Sequence, residues 1–296
     1  MSAYSQQSHS QTKTMILMFI FVGLVSAIFY AFGAINRMPS LIWIGLVVSL
    51  GQCLVAYFFG DKLALSSSGA KQLGVDQMLP VQEIVQNLSK VAGIPTPRIF
   101  ISPDPSPNAF ACGRNPQNAS ICLNQGILNL LNRNELEGVI AHELSHIKNR
   151  DILIMTVSMV LASVIAFLAD FGLRSGFMNG FGNNKNNNKN GGIIVIVFYV
   201  LLIVVSPIVS TLIQMAVSRQ REYLADATAV TMTRYPEGLK SALTKLYQSP
   251  VPSQHYSTAT NHFFISPPKK SWNEKVNGFF STHPSLDDRI NALDGM

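Results

Sequence analysis

The sequence predicts an α-helical integral membrane protein that carries an α+β domain, a small sheet beside a helix with the pattern H-E-x-x-H. Three observations predict it. Of the 296 residues, 48% are hydrophobic and only 13% are charged, about half the roughly 25% of an average soluble domain. The apolar excess is gathered into four long blocks, which reads as membrane spans separated by soluble parts. One of the soluble parts contains His142-Glu143-Leu144-Ser145-His146 inside an apolar-periodic stretch.

Residues 1–14 are polar and rich in Ser and Gln, the composition of a disordered tail. Met15 to Ala34 is an unbroken apolar run, long enough to cross a bilayer, and no small-residue cleavage site follows it. Arg37-Met38-Pro39-Ser40 makes a turn, and Leu41 to Gly60 is a second span. Residues 15–60 therefore form one transmembrane hairpin, and residue 61 returns to the side of the N-terminus.

Residues 61–150 are soluble in character. Pro80 opens a helix whose Val81, Ile84, Val85, Leu88 and Val91 follow helical spacing up to Gly93. Arg98-Ile99-Phe100-Ile101 reads as a strand. Three prolines within Ser102 to Pro107 exclude a helix or a central strand there. Asn108 to Cys112 and Ala119 to Leu123 alternate as two short strands, and Gly126 to Leu131 is a short helix. Asn132 followed by Glu135 reads as a capping box that starts the H-E-x-x-H helix.

Asp151 to Leu173 is a third apolar segment, with Asp170 near its far end. Ile193 to Val217 is a fourth, with Pro207 as a kink. Residues 151–217 thus form a second hairpin around an Asn- and Gly-rich loop, 174–192. Residues 218–296 return to soluble character. They contain a charged helix from Ser218, a helix over 237–247, irregular sequence to 282, and a last helix capped at Ser285.

The net charge of +6 reads as membrane topology, because no motif for nucleic acid is present. Lys13, Lys62, Lys71, Lys148, Arg150, Arg219 and Arg221 flank one side of the four spans, against Arg37, Arg174, Lys185 and Lys189 on the other. That bias puts the soluble parts in the cytoplasm. The cysteines, Cys53, Cys112 and Cys122, form no C-x-x-C pair. Cys112 and Cys122 could face each other across a hairpin, and otherwise read as two half-buried thiols; a reducing compartment suits them.

On a helix, His142 and His146 share one face and can direct two imidazoles at a single point. Glu143 projects beside that point, within reach of water. This is the outline of a zinc hydrolase centre, and such a centre needs a third protein ligand. Glu222 is the candidate. His146 lies five residues before the third segment, and Glu222 lies five after the fourth, so an antiparallel hairpin sets both at one height. The helical rise then places the metal within roughly 10 Å of the membrane surface. The alternative is a solvated Glu222 paired with Arg219 or Arg221. Asp226, one turn on, can accept the free N–H of a liganding histidine; otherwise it is a surface acid.

His142-Glu143-Leu144-Ser145-His146, Arg219 to Asp226 and Ser281-Thr282-His283-Pro284-Ser285 together resemble the HtpX family of heat-shock membrane metalloproteases. These are relatives of the CAAX prenyl endopeptidases in the gluzincin group. The resemblance covers nearly the whole chain and all four hydrophobic segments. It implies a gluzincin-like metalloprotease domain that holds one zinc ion on His142, His146 and Glu222, with Glu143 as base. It implies an endoprotease of the bacterial inner membrane, active on the cytoplasmic side against damaged or misfolded membrane proteins, and capable of self-cleavage. It further implies that Asn108, Ala109 and Phe110 form the edge on which substrate backbone pairs. Phe110 as a plain core residue is the competing view. His283 would stabilise the oxyanion and Arg289 would order Glu222 and Asp226; His283 as a loop-fixing residue remains open.

Two readings from other classes compete. One is a membrane adaptor or chaperone that holds zinc structurally, but structural sites use four protein ligands and only three emerge here. The other is a metal transporter, which would carry its ligands inside the spans.

Overall fold

The computed structural model describes residues 3–35, 37–74, 79–163, 219–249, 251 and 284–296. Helix α1 (Ala3–Ile35) and helix α2 (Leu41–Ser67) lie side by side. Both are long and apolar enough to cross a membrane, over Gln11–Ala31 and Leu41–Ser67. α1 starts at Ala3, so helix runs through the polar stretch that composition reads as a disordered tail. Extending an existing helix costs far less than nucleating one, and Ser, Gln and Lys do not stop it. α2 also continues seven residues past Gly60, the end expected for the second span. Its buried positions are mainly small: Gly45, Ser49, Cys53, Ala56, Gly60 and Ala64. Small residues at this spacing let backbones approach closely. A Cβ on Gly45 would sit 2.7 Å from Phe29 of α1.

The soluble part begins with strand β1 (Lys71–Gln72), which sequence pattern did not reveal because two residues carry no periodicity. It continues with helix α3 (Leu79–Ala92), strands β2 (Arg98–Ser102), β3 (Ala109–Gly113) and β4 (Ala119–Asn124), and helices α4 (Gln125–Leu130) and α5 (Arg133–Lys148). Helix α6 (Ile152–Ser163) is the described part of the third apolar segment. The rest of that segment, including Asp170, lies outside the described residues, as do the Asn-rich loop and the fourth segment. Helices α7 (Arg219–Thr233), α8 (Pro236–Gln248) and α9 (Leu286–Asp294) complete the chain.

The sheet order is β1-β2-β4-β3. β2 and β4 run parallel, while β3 joins β4 antiparallel with Phe110 opposite Cys122 and Cys112 opposite Ser120. The two cysteines are therefore not partners across the ladder. Both are fully buried rather than half-buried, and burial pushes the Cys122 thiol up to about 12.

Period-two alternation distributes the strands' side chains between two cores. Ala109, Ala111, Ala119, Ile121 and Leu123 join α3, α5, α7 and α8 in one apolar cluster. Phe110, Cys112 and Cys122 join α1, α2 and α6 in the other. Strands β3 and β4 are thus buried on both faces, by α3, α5, α7 and α8 on one side and by α1, α2 and α6 on the other.

α5 sits at the centre of the first cluster, packed on α7 and α8. It begins with a capping box: Asn132 Oδ1 accepts from the Glu135 N–H at 3.0 Å, and Glu135 Oε2 accepts from the Asn132 N–H at 2.9 Å. Glu135 also accepts from Ser241 Oγ and Lys245 Nζ, which pins α8 to the start of α5. Farther along, the helices cross on two glycines. A Cβ on Gly138 would lie 2.7 Å from the Leu239 nitrogen, and one on Gly238 would lie 2.7 Å from the Asn134 carbonyl oxygen. Gly138→Val is expected to force these backbones apart and destabilise by about 1–3 kcal/mol. Thermal unfolding in detergent checks this, with an unchanged midpoint counting against the close crossing.

Candidate active site

His142, Glu143 and His146 lie along α5, and none is more than 3% exposed. His142 Nε2 and His146 Nε2 face each other at 3.2 Å. α7 packs across them and presents Glu222, with Oε2 3.8 Å from His142 Nε2 and Oε1 3.7 Å from His146 Nε2. Ligand atoms from His142, His146 and Glu222 all lie within 4.8 Å of one another. The interhelical hairpin from which sequence argues for this meeting falls mostly outside the described residues. The meeting itself is made by direct packing of α5 on α7.

One turn beyond Glu222, Asp226 is fully buried. Its Oδ1 lies 2.9 Å from His142 Nδ1, although the ring N–H does not point straight at it. Arg289 reaches in from α9 and grips Asp226 with two bonds, Nε at 2.8 Å and Nη2 at 2.6 Å. Its Nη1 stands 3.8 Å from Glu222 Oε2. Arg289 is a fully buried cation, and this pair of carboxylates explains how it is tolerated.

A second aspartate was not singled out from the sequence. α5 ends in a Schellman motif: the Arg150 N–H bonds the Ile147 carbonyl and the Asp151 N–H bonds the His146 carbonyl. Arg150 takes the left-handed position with φ of 60°. The turn folds the chain back so that Asp151 Oδ2 lies 3.5 Å from His146 Nδ1. Arg221 Nε lies 3.7 Å from Asp151 Oδ1. Each histidine therefore has an aspartate behind it and an arginine behind that. The sequence signal was an acid five residues after His146, obscured because it also opens an apolar segment.

Burial dominates the electrostatics. It pushes Glu143 up to about 7, against the pull of His146 and a hydrogen bond from the Ala111 N–H. It lowers His142. For His146 burial also acts downward, but Asp151, Glu222 and Glu143 outweigh it and hold the imidazole at about 9. Burial would raise Asp226, yet the Arg289 charge and His142 keep it below the usual carboxylate value.

The donor set fits a divalent metal. The carboxylates Glu143, Glu222, Asp226 and Asp151 surround the two imidazoles. Two nitrogens and a carboxylate converge within 4.8 Å of one another, a ligand set suited to a dication.

The edge strand behaves differently from expectation in part. β3 is an edge strand, and α5 packs beside it. Ala109 is in the soluble core, and Asn108 is buried with its carbonyl accepting from the Asn124 N–H. Phe110 belongs to the membrane-end cluster. The strand residue that touches Glu143 is Ala111, one beyond the expected triplet. His283 lies outside the described residues.

Comparison with known proteins places this geometry in context. A family model described as Peptidase family M48 matches residues 76–296. The chain is 39% identical over 293 residues to the Protease HtpX homolog of Caldanaerobacter subterraneus subsp. tengcongensis, covering 98% of this chain and 96% of that relative. It is 40% identical over 297 residues to the Protease HtpX homolog of Streptococcus mutans serotype c, covering 98% and 99%. Among solved structures it is similar in fold to S. mikatae Ste24p, with a TM-score of 0.51 and 21% identity, covering 98% of this chain and 67% of that one.

Two outcomes follow from the geometry. Asp151→Asn is expected to weaken metal affinity about 10- to 100-fold, since it removes the charge that orients His146. Chelator competition on the folded protein measures it, and unchanged affinity would detach Asp151 from the site. The raised His146 value means that a proton occupies the metal-free imidazole below about pH 9 and must leave before metal binds. Affinity should therefore weaken by about tenfold for each unit the pH falls below that value and level off above it. Calorimetric titration of the apoprotein across that range would reveal a flat profile if the sign is wrong.

Proposed function

The chain belongs to peptidase family M48 and is a membrane-bound metalloprotease, and from that premise we propose that it is a zinc-dependent endopeptidase acting on damaged or misfolded membrane proteins. The observation that carries the reading is the convergence of His142, His146 and Glu222 beside the buried Glu143. A donor set of two imidazoles and one carboxylate suits zinc and leaves a coordination position open.

His142, His146 and Glu222 hold the ion, and Asp226 and Asp151 orient the two rings. Zinc bound there would supply Lewis acidity toward a peptide carbonyl and toward water. Glu143 is the general base. A carboxylate raised to about 7 is matched to taking a proton near neutral pH and returning it to the leaving amine. Arg289 holds Asp226 and Glu222 in place. His283 stabilises the oxyanion, a role that rests on the family resemblance. Substrate backbone pairs with the edge strand β3 at Asn108, Ala109 and Phe110, a role that rests on the family resemblance and on the place of β3 at the end of the sheet. Pairing of this kind reads main chain and suits broad specificity.

The protein is multi-pass in the bacterial inner membrane, with the site on the cytoplasmic face. Support comes from the two candidate spans and from the excess of Lys and Arg on the side of the site. Membrane-protein substrates follow from a site close to the bilayer, and self-cleavage rests on the family resemblance.

Glu143→Gln is expected to keep its zinc and lose about 10²- to 10⁴-fold in kcat/KM toward casein. Metal analysis beside the assay separates this from His142→Ala, which is expected to lose the metal as well. Wild-type cleavage should vanish with chelator and return with zinc. Undiminished proteolysis by purified Glu143→Gln would refute the assignment of the base.

A further inference from the structure

We propose that a second site, at the membrane end of the fold, binds the phosphate headgroup of an anionic phospholipid between α2 and the β3–β4 turn. It rests on the reading of α2 as a membrane span. A cavity of about 410 Å³ opens there, lined by Tyr57, Phe58, Lys62, Arg98, Arg114 and Leu153 among others. The volume falls within the range of small-molecule sites, roughly 300–1,000 Å³.

Its depth in the bilayer follows from α2. Residues 38–60 carry no charge. Leu41 to Gly60 spans roughly 30 Å at the helical rise, the thickness of a hydrocarbon core. Asp61 and Lys62 are the first charges after it and line this cavity. Tyr57, Phe58 and Phe59 are exposed just before them, where aromatic side chains mark the headgroup level. The cavity therefore lies at the depth of lipid phosphates.

Its chemistry selects an anion. Arg98 is spent on Asp61 at 2.7 Å. Lys62 and Arg114 have no carboxylate partner among the described residues. Arg114 lies 5.3 Å from the Phe58 ring and 5.9 Å from the Tyr57 ring. Ring contacts of this kind use none of its N–H donors on a carboxylate and leave them for an oxyanion. Two uncompensated cations beside an apolar wall match a phosphate that carries acyl chains. The wall continues into the exposed side of α2 at Leu54, Val55 and Phe58, where those chains would lie.

The site also adjoins the catalytic framework. The Gly113 N–H, at the cavity wall, donates to Thr156 Oγ1 of α6 at 3.0 Å, and β3 leads from Gly113 back to Ala111 beside Glu143.

The test uses full-length protein in detergent, titrated with short-chain phosphatidylglycerol, short-chain phosphatidylcholine or inorganic phosphate, and read by native mass spectrometry. One phosphatidylglycerol is expected to bind per chain, with phosphatidylcholine and inorganic phosphate much weaker. Arg114→Gln and Lys62→Gln should each weaken it about fivefold. Lys62 is exposed, so its variant carries the test if Arg114→Gln fails to fold. Equal binding of phosphatidylcholine, displacement of the lipid by equimolar inorganic phosphate, or undiminished binding in the folded Lys62→Gln variant would each overturn the proposal. Casein cleavage by the same samples reports separately on the catalytic reading.

Discussion

A cluster of ionisable groups shut away from water governs this structure. His142, Glu143, His146, Glu222, Asp226, Asp151 and Arg289 are all buried. Charges in such a place are costly unless neighbours compensate them. Compensation here requires α5, α7 and α9 to hold their positions together. Arg289 is buried because Asp226 and Glu222 receive it, and those carboxylates are tolerated because Arg289 and the histidines face them. No one of the three helices could bury its polar face without the others. The convergence of two imidazoles and a carboxylate at one point is what makes the centre receptive to a dication.

The same need for order explains the paired supports behind the two imidazoles. His142 is backed by Asp226 and Arg289, and His146 by Asp151 and Arg221. The two supports come from different parts of the chain and are built by different devices. Asp226 stands on the next turn of the helix that offers Glu222. Asp151 is delivered by the reversal at the end of α5, where Arg150 accepts a left-handed conformation. Rings held from behind lose little freedom on binding metal, which is how such partners raise affinity.

Strand β3 connects this centre to the core shared by α1, α2 and α6. Because both of its faces are buried, β3 belongs at once to the soluble core through Ala109 and Ala111 and to the membrane-end core through Phe110 and Cys112. The small-residue stripe of α2 lets that helix approach α1 and α6 closely, and Gly60 meets Thr156 with no room for a Cβ. β3, α6 and α2 therefore form one packed unit.

Local chemistry was legible in the sequence wherever one element sufficed. The spacing of His142 and His146, the capping box at Asn132 and Glu135, and the apolar length of the first two segments each follow from a single helix's geometry, and they appear as such. Glu222, Asp226 and Arg289 were nameable, but not their distances, because these depend on how three helices cross. Asp151, the two-residue strand β1 and the membrane-side burial of Phe110 were not legible. Their placement depends on a helix cap, a ladder and a second core that no linear period encodes. Sequence alone determined which donors exist and which share a helix, since covalent spacing sets that. Only the tertiary structure decided which of them meet, because long-range packing through Gly138 and Gly238 and the mutual neutralisation of buried charges set the approach of the helices.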